Sequence, residues 1–181
     1  MKLMMHAVLV VSLLAGGLAM YAGNAVAQTE KTKERIGVYD SRAIAVAFVG
    51  SESFNRWMSD LKAELEKAKV EGNEKRIAEL QAEGVARQKL IHKQGFSTAP
   101  VDNILARIKN RLPDIKKKAG VDVLVSKWDK ATLAKHPSAE SVDVTAMLVA
   151  AFNPNEKQGK NAVDIQKQEP IPIESAEKIK D

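Results

Sequence analysis

Residues 51–95 read SESFNRWMSDLKAELEKAKVEGNEKRIAELQAEGVARQKLIHKQG, and the architecture turns on how this stretch is folded. Ser51 suits a helix N-cap, with Glu52 in the first turn complementing the macrodipole. Phe54, Met58, Leu61, Leu65 and Ala68 then recur at steps of four, three, four and three. That spacing makes a coiled-coil-like stripe, which Trp57 widens. The pattern breaks at Glu71-Gly72-Asn73-Glu74. Gly and Asn together cost a helix about 1.5 kcal/mol relative to alanine. Ile77 lies nine residues past Ala68, which at about 100° per residue puts it on the opposite face of a continuous helix. A hairpin with its tip at Gly72-Asn73 removes both difficulties and turns Ile77, Leu80, Val85 and Ile91 toward the outgoing helix. A single long helix, kinked at Gly72, is the alternative. Gly84 weakens the returning helix.

Working outward, Gly95 suits a C′ stop. Ser97 or Thr98 then caps a long basic helix over 98–119, with Pro100 in its first turn. Val101, Ile104, Leu105, Ile108, Leu112 and Ile115 give that helix an apolar stripe. Pro113 kinks or restarts it, and Gly120 closes it after the run Lys116-Lys117-Lys118. A strand is expected over 35–40 and another over 121–126, where Val121-Asp122-Val123-Leu124-Val125 alternates best. Residues 43–49 are small and apolar, so pattern alone leaves helix and strand both open. A further strand is expected over 128–134 and a last short helix over 144–152. From Asn153 onward no apolar period survives and Pro170 and Pro172 frame Ile171, so 153–181 reads as a disordered tail. The expected class is α+β and mostly helical: a helical hairpin arm over 51–94 and a long basic helix on a small β-body.

Charge is distributed unevenly along this plan. Residues 85–120 hold nine Lys or Arg against two acids, whereas residues 52–83 hold eight acids against six bases. A one-signed region of this kind speeds encounter with oppositely charged partners. Residues 1–27 have the form of a secretory signal: Lys2, an uncharged apolar run over 7–22, and Ala25-Val26-Ala27 before Gln28. Cleavage after Ala27 would deliver a periplasmic or secreted protein, and an uncleaved N-terminal anchor is the minor alternative. The chain has no cysteine, which excludes both disulfides and a lipid-modified cysteine. Aromatic residues make up only 4%, which directs stability toward packing of small residues or toward oligomers.

Arg35-Ile36-Gly37-Val38-Tyr39-Asp40 and Gly120-Val121-Asp122-Val123-Leu124-Val125, followed by Val142-Asp143-Val144-Thr145-Ala146-Met147-Leu148, resemble the first strand, closing strand and last-helix opening of the OmpH/Skp family of periplasmic chaperones. The order signal, strand, hairpin, basic helix, strand, helix is similar too. The resemblance implies a trimer whose helical arms enclose unfolded envelope proteins, with no catalytic residues.

Chemistry-bearing constellations are few. His92 has no ligand at metal spacing, and His136 has only Glu140 four residues on. Ser41 and Ser126 lack a Gly-x-Ser-x-Gly setting, and no phosphate-binding glycine loop occurs in the expected domain. Tyr39-Asp40-Ser41-Arg42 is a polar quartet at a strand end, read as a turn in which Asp40 and Ser41 bond their own backbone. Phe96 is the sole aromatic near the basic region, which leaves no stacking platform for nucleic acid. No enzyme and no cofactor are expected. The expected activity is an ATP-independent holdase binding unfolded or acidic polypeptides. Its candidate contacts are Phe54, Trp57, Met58, Ile91 and Phe96 for apolar segments and Arg87, Lys89, Lys93, Arg107, Lys109, Arg111, Lys116, Lys117 and Lys118 for charge. An anionic lipid surface is a further partner the charge admits, and a non-enzymatic envelope module pairing through the hairpin is the alternative function.

Overall fold

A computed structural model of the chain describes residues 33–179. The expected signal peptide, 1–27, lies outside the described residues. The elements in order are β1 (Arg35–Tyr39), α1 (Ser41–Val49), α2 (Glu52–Val70), α3 (Glu74–Phe96), α4 (Asp102–Leu105), a 3-10 turn (Ala106–Ile108) and α5 (Leu112–Ala119). Then come β2 (Val123–Ser126), α6 (Lys130–Leu133), β3 (Glu140–Asp143), α7 (Thr145–Ala150), α8 (Glu156–Asp164), a second 3-10 turn (Ile165–Lys167) and α9 (Ile173–Ala176). The class is α+β with helix predominating, as expected from the sequence.

The sheet has the order β2-β1-β3, and β1 runs parallel to both neighbours, with Val38 opposite Val125 on one side and Asp143 on the other. Parallel neighbours require long crossovers. The β1-to-β2 crossover carries the whole hairpin, and the β2-to-β3 crossover carries α6. Central β1 buries Ile36, Gly37 and Tyr39. The run 43–49 resolves as helix. The Asp40 carboxylate accepts from the Arg42 amide to cap α1, and Ala43, Ile44, Ala45, Ala47 and Phe48 are buried. A helix apolar on nearly every side belongs in the interior, and here α1 touches α2, α3, α4, α7 and α8 at once.

The hairpin forms. Ser51 Oγ accepts from Phe54 N and caps α2. Leu61, Ala68 and Leu80 are buried together, with Leu65 and Ile77 packed on them. At the tip the Asn73 amide donates to Ala68 O at 2.9 Å and the Gly72 amide to Lys69 O at 3.1 Å. That pair of bonds is the Schellman ending, which needs a left-handed residue. Gly72 supplies it with φ +64°, and Asn73 then caps α3 by accepting from Arg76 N. Val85, expected against α2, is 52% exposed instead. Beyond Leu80 the contact with α2 continues through Gly84, close to Leu61, and Arg87, on Trp57, while α3 also packs on α1.

Four further expectations require correction. The long basic helix over 98–119 is broken into α4, the 3-10 turn and α5. Pro113 lacks the amide hydrogen a continuous helix needs and sits in the first turn of α5, where none is required. Helix α3 runs through Gly95 to Phe96, so Gly95 is no stop. Residues 128–134 hold α6, whose start is fixed by Asp129 accepting from Thr132 N at 2.9 Å, and they form no strand. The second flanking strand is β3 instead, whereas the helix expected over 144–152 forms as α7. Most consequential, residues 153–179 of the expected tail are ordered. Asn155 caps α8 by accepting from Gln158 N, and Ala162 is fully buried against α1. One small residue suffices where the partner helix presents alanines, and so little apolar content leaves no visible period.

Candidate functional site

The hairpin is anchored to the body by rings. Phe48 of α1 meets Phe54 edge-on at 5.4 Å, Trp57 at 6.1 Å and Phe152 at 6.0 Å. Edge-to-face pairs at such spacing add to simple area burial. The Arg87 guanidinium lies 4.3 Å from the Trp57 ring centre, donates to Trp57 O at 2.7 Å and pairs with Glu83. Arg107 approaches the same ring at 5.7 Å. Trp57 is thus half-buried with two cations set against it.

Beside this anchor opens a groove of about 890 Å³. Its floor is Ala45, Val46 and Val49 of α1; Phe54, Trp57 and Met58 of α2 and Val85, Ile91 and Phe96 of α3 form one wall. The facing wall is Gln158 and Asn161 of α8, then Asp164, Ile165 and Gln168. The interior is apolar with an amide rim, and amides offer both donors and acceptors to a peptide backbone. Concave apolar surface with a few polar groups at its edge is the usual form of a binding site.

Six of the fourteen candidate residues meet in this groove: Phe54, Trp57, Met58, Arg87, Ile91 and Phe96. The remaining cations do not converge there. Lys93 pairs with Glu177 at 2.9 Å, and Lys89 is exposed on α3. Arg111 donates to Ala151 O and Lys116 to Asp122 O. Lys109, Lys117 and Lys118 are exposed. Among the described residues, none of the six cations from Arg107 to Lys118 has an acidic partner within ion-pair distance. The arm differs: Arg56, Lys67, Lys69, Arg76 and Arg87 are each paired with a glutamate. Among the described residues Lys62, Lys75 and Lys89 of the arm have no such pair, but acids outnumber bases over 52–83, so the surplus of positive charge falls on the body, where Arg107 reaches Trp57. The α8 wall was missed in the sequence because it falls within 153–181. Asn155 as a cap, followed by Ala162 and Ile165 three residues apart, is the signal that could have found it.

The quartet at the end of β1 serves another purpose. Asp40 is 1% and Arg42 0% exposed. Asp40 Oδ1 accepts from Arg42 N, Arg42 Nε and Trp128 Nε1, and Oδ2 accepts from Arg42 Nη2 at 2.9 Å and pairs with Lys127 Nζ at 2.7 Å. Burial works to raise the Asp40 carboxyl, but the hydrogen bonds from Arg42, Lys127 and Trp128 outweigh it and hold the group below the ordinary carboxylate value. Arg42 Nη1 donates to Gln168 O at 2.8 Å. This closed cluster ties β1 to α1, to the loop after β2 and to the groove's far wall. Tyr39 is buried too, and burial first, then Asp102 and Asp129, push its phenol up to about 12. Asp40 bonds the Arg42 backbone as the turn reading requires, whereas Ser41 Oγ is buried with no hydrogen bond to any described residue.

His92 is buried near Phe96, and His136 meets Glu34 at 2.7 Å. Among the described residues no three His, Asp or Glu are placed to hold a metal ion, and no helix is long and apolar enough to cross a membrane. Comparison with family models, curated proteins and solved structures gave no match.

Proposed function

We propose that the protein is a non-enzymatic, exported holdase that takes exposed apolar segments of unfolded envelope polypeptides into the groove between the hairpin base and α8. One observation carries this: the apolar candidates of α2 and α3 share a wall, across an 890 Å³ groove from an amide-bearing helix. Burial of apolar surface is non-directional and suits clients without a fixed shape. The unpaired cations at 107–118 bring such clients, or acidic ones, to the groove's edge. Assembly as a trimer belongs to the proposal through the OmpH/Skp resemblance. The alternative, an envelope module pairing through its hairpin, draws less support, since Leu61, Leu65, Ala68, Ile77 and Leu80 already bury one another.

Val85 allows a clean test, being half exposed and lining the groove. Val85→Glu puts a charge into the apolar channel without opening the core. The wild type should suppress aggregation of a denatured β-barrel protein at substoichiometric amounts. The variant should lose at least about three-quarters of that suppression at an unchanged Tm, on the basis that an unpaired charge is costly against apolar surface. Equal suppression by both chains, or none by the wild type, rejects the groove as the client site.

A further inference from the structure

Beyond Gln168 the chain crosses from one wall of the groove to the other. Gln168 belongs to the α8 wall and is fixed from below by Arg42. Pro170 and Pro172 supply no amide hydrogen and favour extended backbone. Between them the Ile171 amide donates to Phe96 O at 3.0 Å, and Phe96 belongs to the α3 wall. Residues 168–171 therefore link the two walls beside the Phe96 end of the groove, and residues 169–179 run along its lip without lining it. Ala176 is buried and α9 packs on α3, with Glu177 paired to Lys93 at 2.9 Å. Ile171 and Ile173 are still 37% and 40% exposed. Among the described residues the hold is light: a backbone bond, an alanine methyl and a partly exposed ion pair.

The chemistry of this segment is informative. Glu169-Pro170-Ile171-Pro172-Ile173-Glu174 is a short extended apolar strip with an acid at each end. It lies along a lip that offers an aromatic ring (Phe96), a backbone carbonyl and the Lys93 ammonium. We infer that residues 169–179 are an intramolecular occupant of the lip at the groove's Phe96 end, and that the external partner is an extended, acid-flanked apolar polypeptide that enters the groove and displaces them from that lip. The inference rests on the polypeptide-binding function proposed above and adds the partner's chemistry and the lip at which it competes with the chain's own tail.

The test uses three chains: the full protein, the full protein carrying Glu177→Lys, and a chain ending at Gln168. The probe is a fluorescein-labelled peptide of residues 169–179, followed by anisotropy. The truncated chain should bind it at least about fivefold more tightly than the full chain, the factor expected when four in five molecules hold the site closed. Glu177→Lys, which sets like charges at the latch, should bind about two- to threefold more tightly than the full chain. The same peptide with its glutamates changed to glutamine should bind the truncated chain several-fold more weakly. A second labelled peptide, an apolar strand from a β-barrel protein, separates the two ideas. If the full and truncated chains bind the strand peptide equally well, the intramolecular occupant is refuted and the holdase stands. If no chain binds the strand peptide while the truncated chain binds residues 169–179, the holdase is refuted instead. Should truncation unfold the protein, as circular dichroism would reveal, Glu177→Lys decides alone: affinity equal to the full chain overturns the inference.

Discussion

Removing the charge of Asp40 should cost more than removing its chief partner. Asp40→Asn keeps the shape and a good helix cap, but it leaves the Arg42 guanidinium wholly buried, with Gln168 O as its remaining strong acceptor, near the Lys127 ammonium. Stranding a buried charge costs about 3–5 kcal/mol, a large part of the roughly 5–15 kcal/mol that holds a domain folded. Arg42→Met leaves the carboxylate its Lys127 contact at 2.7 Å and the Trp128 indole at 3.2 Å. Its cost should be nearer 1–3 kcal/mol, the range for losing hydrogen bonds to a charged group. Urea titration followed by tryptophan fluorescence reads both, since Trp128 sits on the cluster itself. Acid should act through the same carboxylate. Its folded pKa is depressed, so its stabilisation is complete above the unfolded value of about 4 and is lost as pH falls through the lower folded value. The wild type should therefore lose stability below about pH 4, and Asp40→Asn should show a flatter acid limb. An Asp40→Asn cost under about 1 kcal/mol, or an Arg42→Met cost equal to it, would refute this account of the cluster.

Two further outcomes concern the arm. Leu80→Ala removes the most buried residue of the hairpin's own small core, and large-to-small core changes cost about 2–5 kcal/mol. Because that core is separate from the one around α1, hydrogen exchange should quicken in the outer turns of α2 and α3 and stay slow in β1; uniform quickening would contradict the separation. Gly72→Ala meets no neighbour within 4 Å but must hold φ +64°, so it should cost roughly 1–2 kcal/mol from backbone strain alone. A neutral or stabilising result in thermal melts would mean the tip is not left-handed.

The sequence disclosed those parts of the fold whose signals are local and strong. The heptad-spaced stripe of α2, the phase break before Ile77 and the Gly72-Asn73 pair are enough for the hairpin, since a helix cannot carry its stripe across a half-turn jump. Gly120 likewise marks the end of α5, with φ +64° and the Val121 amide reaching back to Lys116 O. What stayed hidden depends on partners far along the chain. Local support for 156–164 as a helix is limited to its Asn155 cap, Glu156 in the first turn and the exposed Glu156–Lys160 pair; it is held because Ala162 fits against α1. Strand β3 escaped for a similar reason. Glu140-Ser141-Val142-Asp143 has one apolar residue, and its place is fixed by backbone pairing to β1. The groove was half legible for the same cause: the aromatic wall lies on the helices with a clear period, the amide wall on the helix without one.

Placement of charge bears on how a carrier of this build would work. An arm whose acids outnumber its bases over 52–83 has little net positive field, so its contribution is shape and apolar surface. The cations from Arg107 to Lys118 have no acidic partners within ion-pair distance among the described residues, and Arg107 touches the ring that begins the groove. Attraction and capture then fall on adjoining but different surfaces. Salt weakens the first, because exposed charges are screened over about 8 Å at physiological ionic strength. The second is burial of apolar area, which salt barely touches. Under the proposed function, ionic strength should therefore govern how fast a client arrives far more than how long it stays, a division that a single basic, apolar arm could not produce.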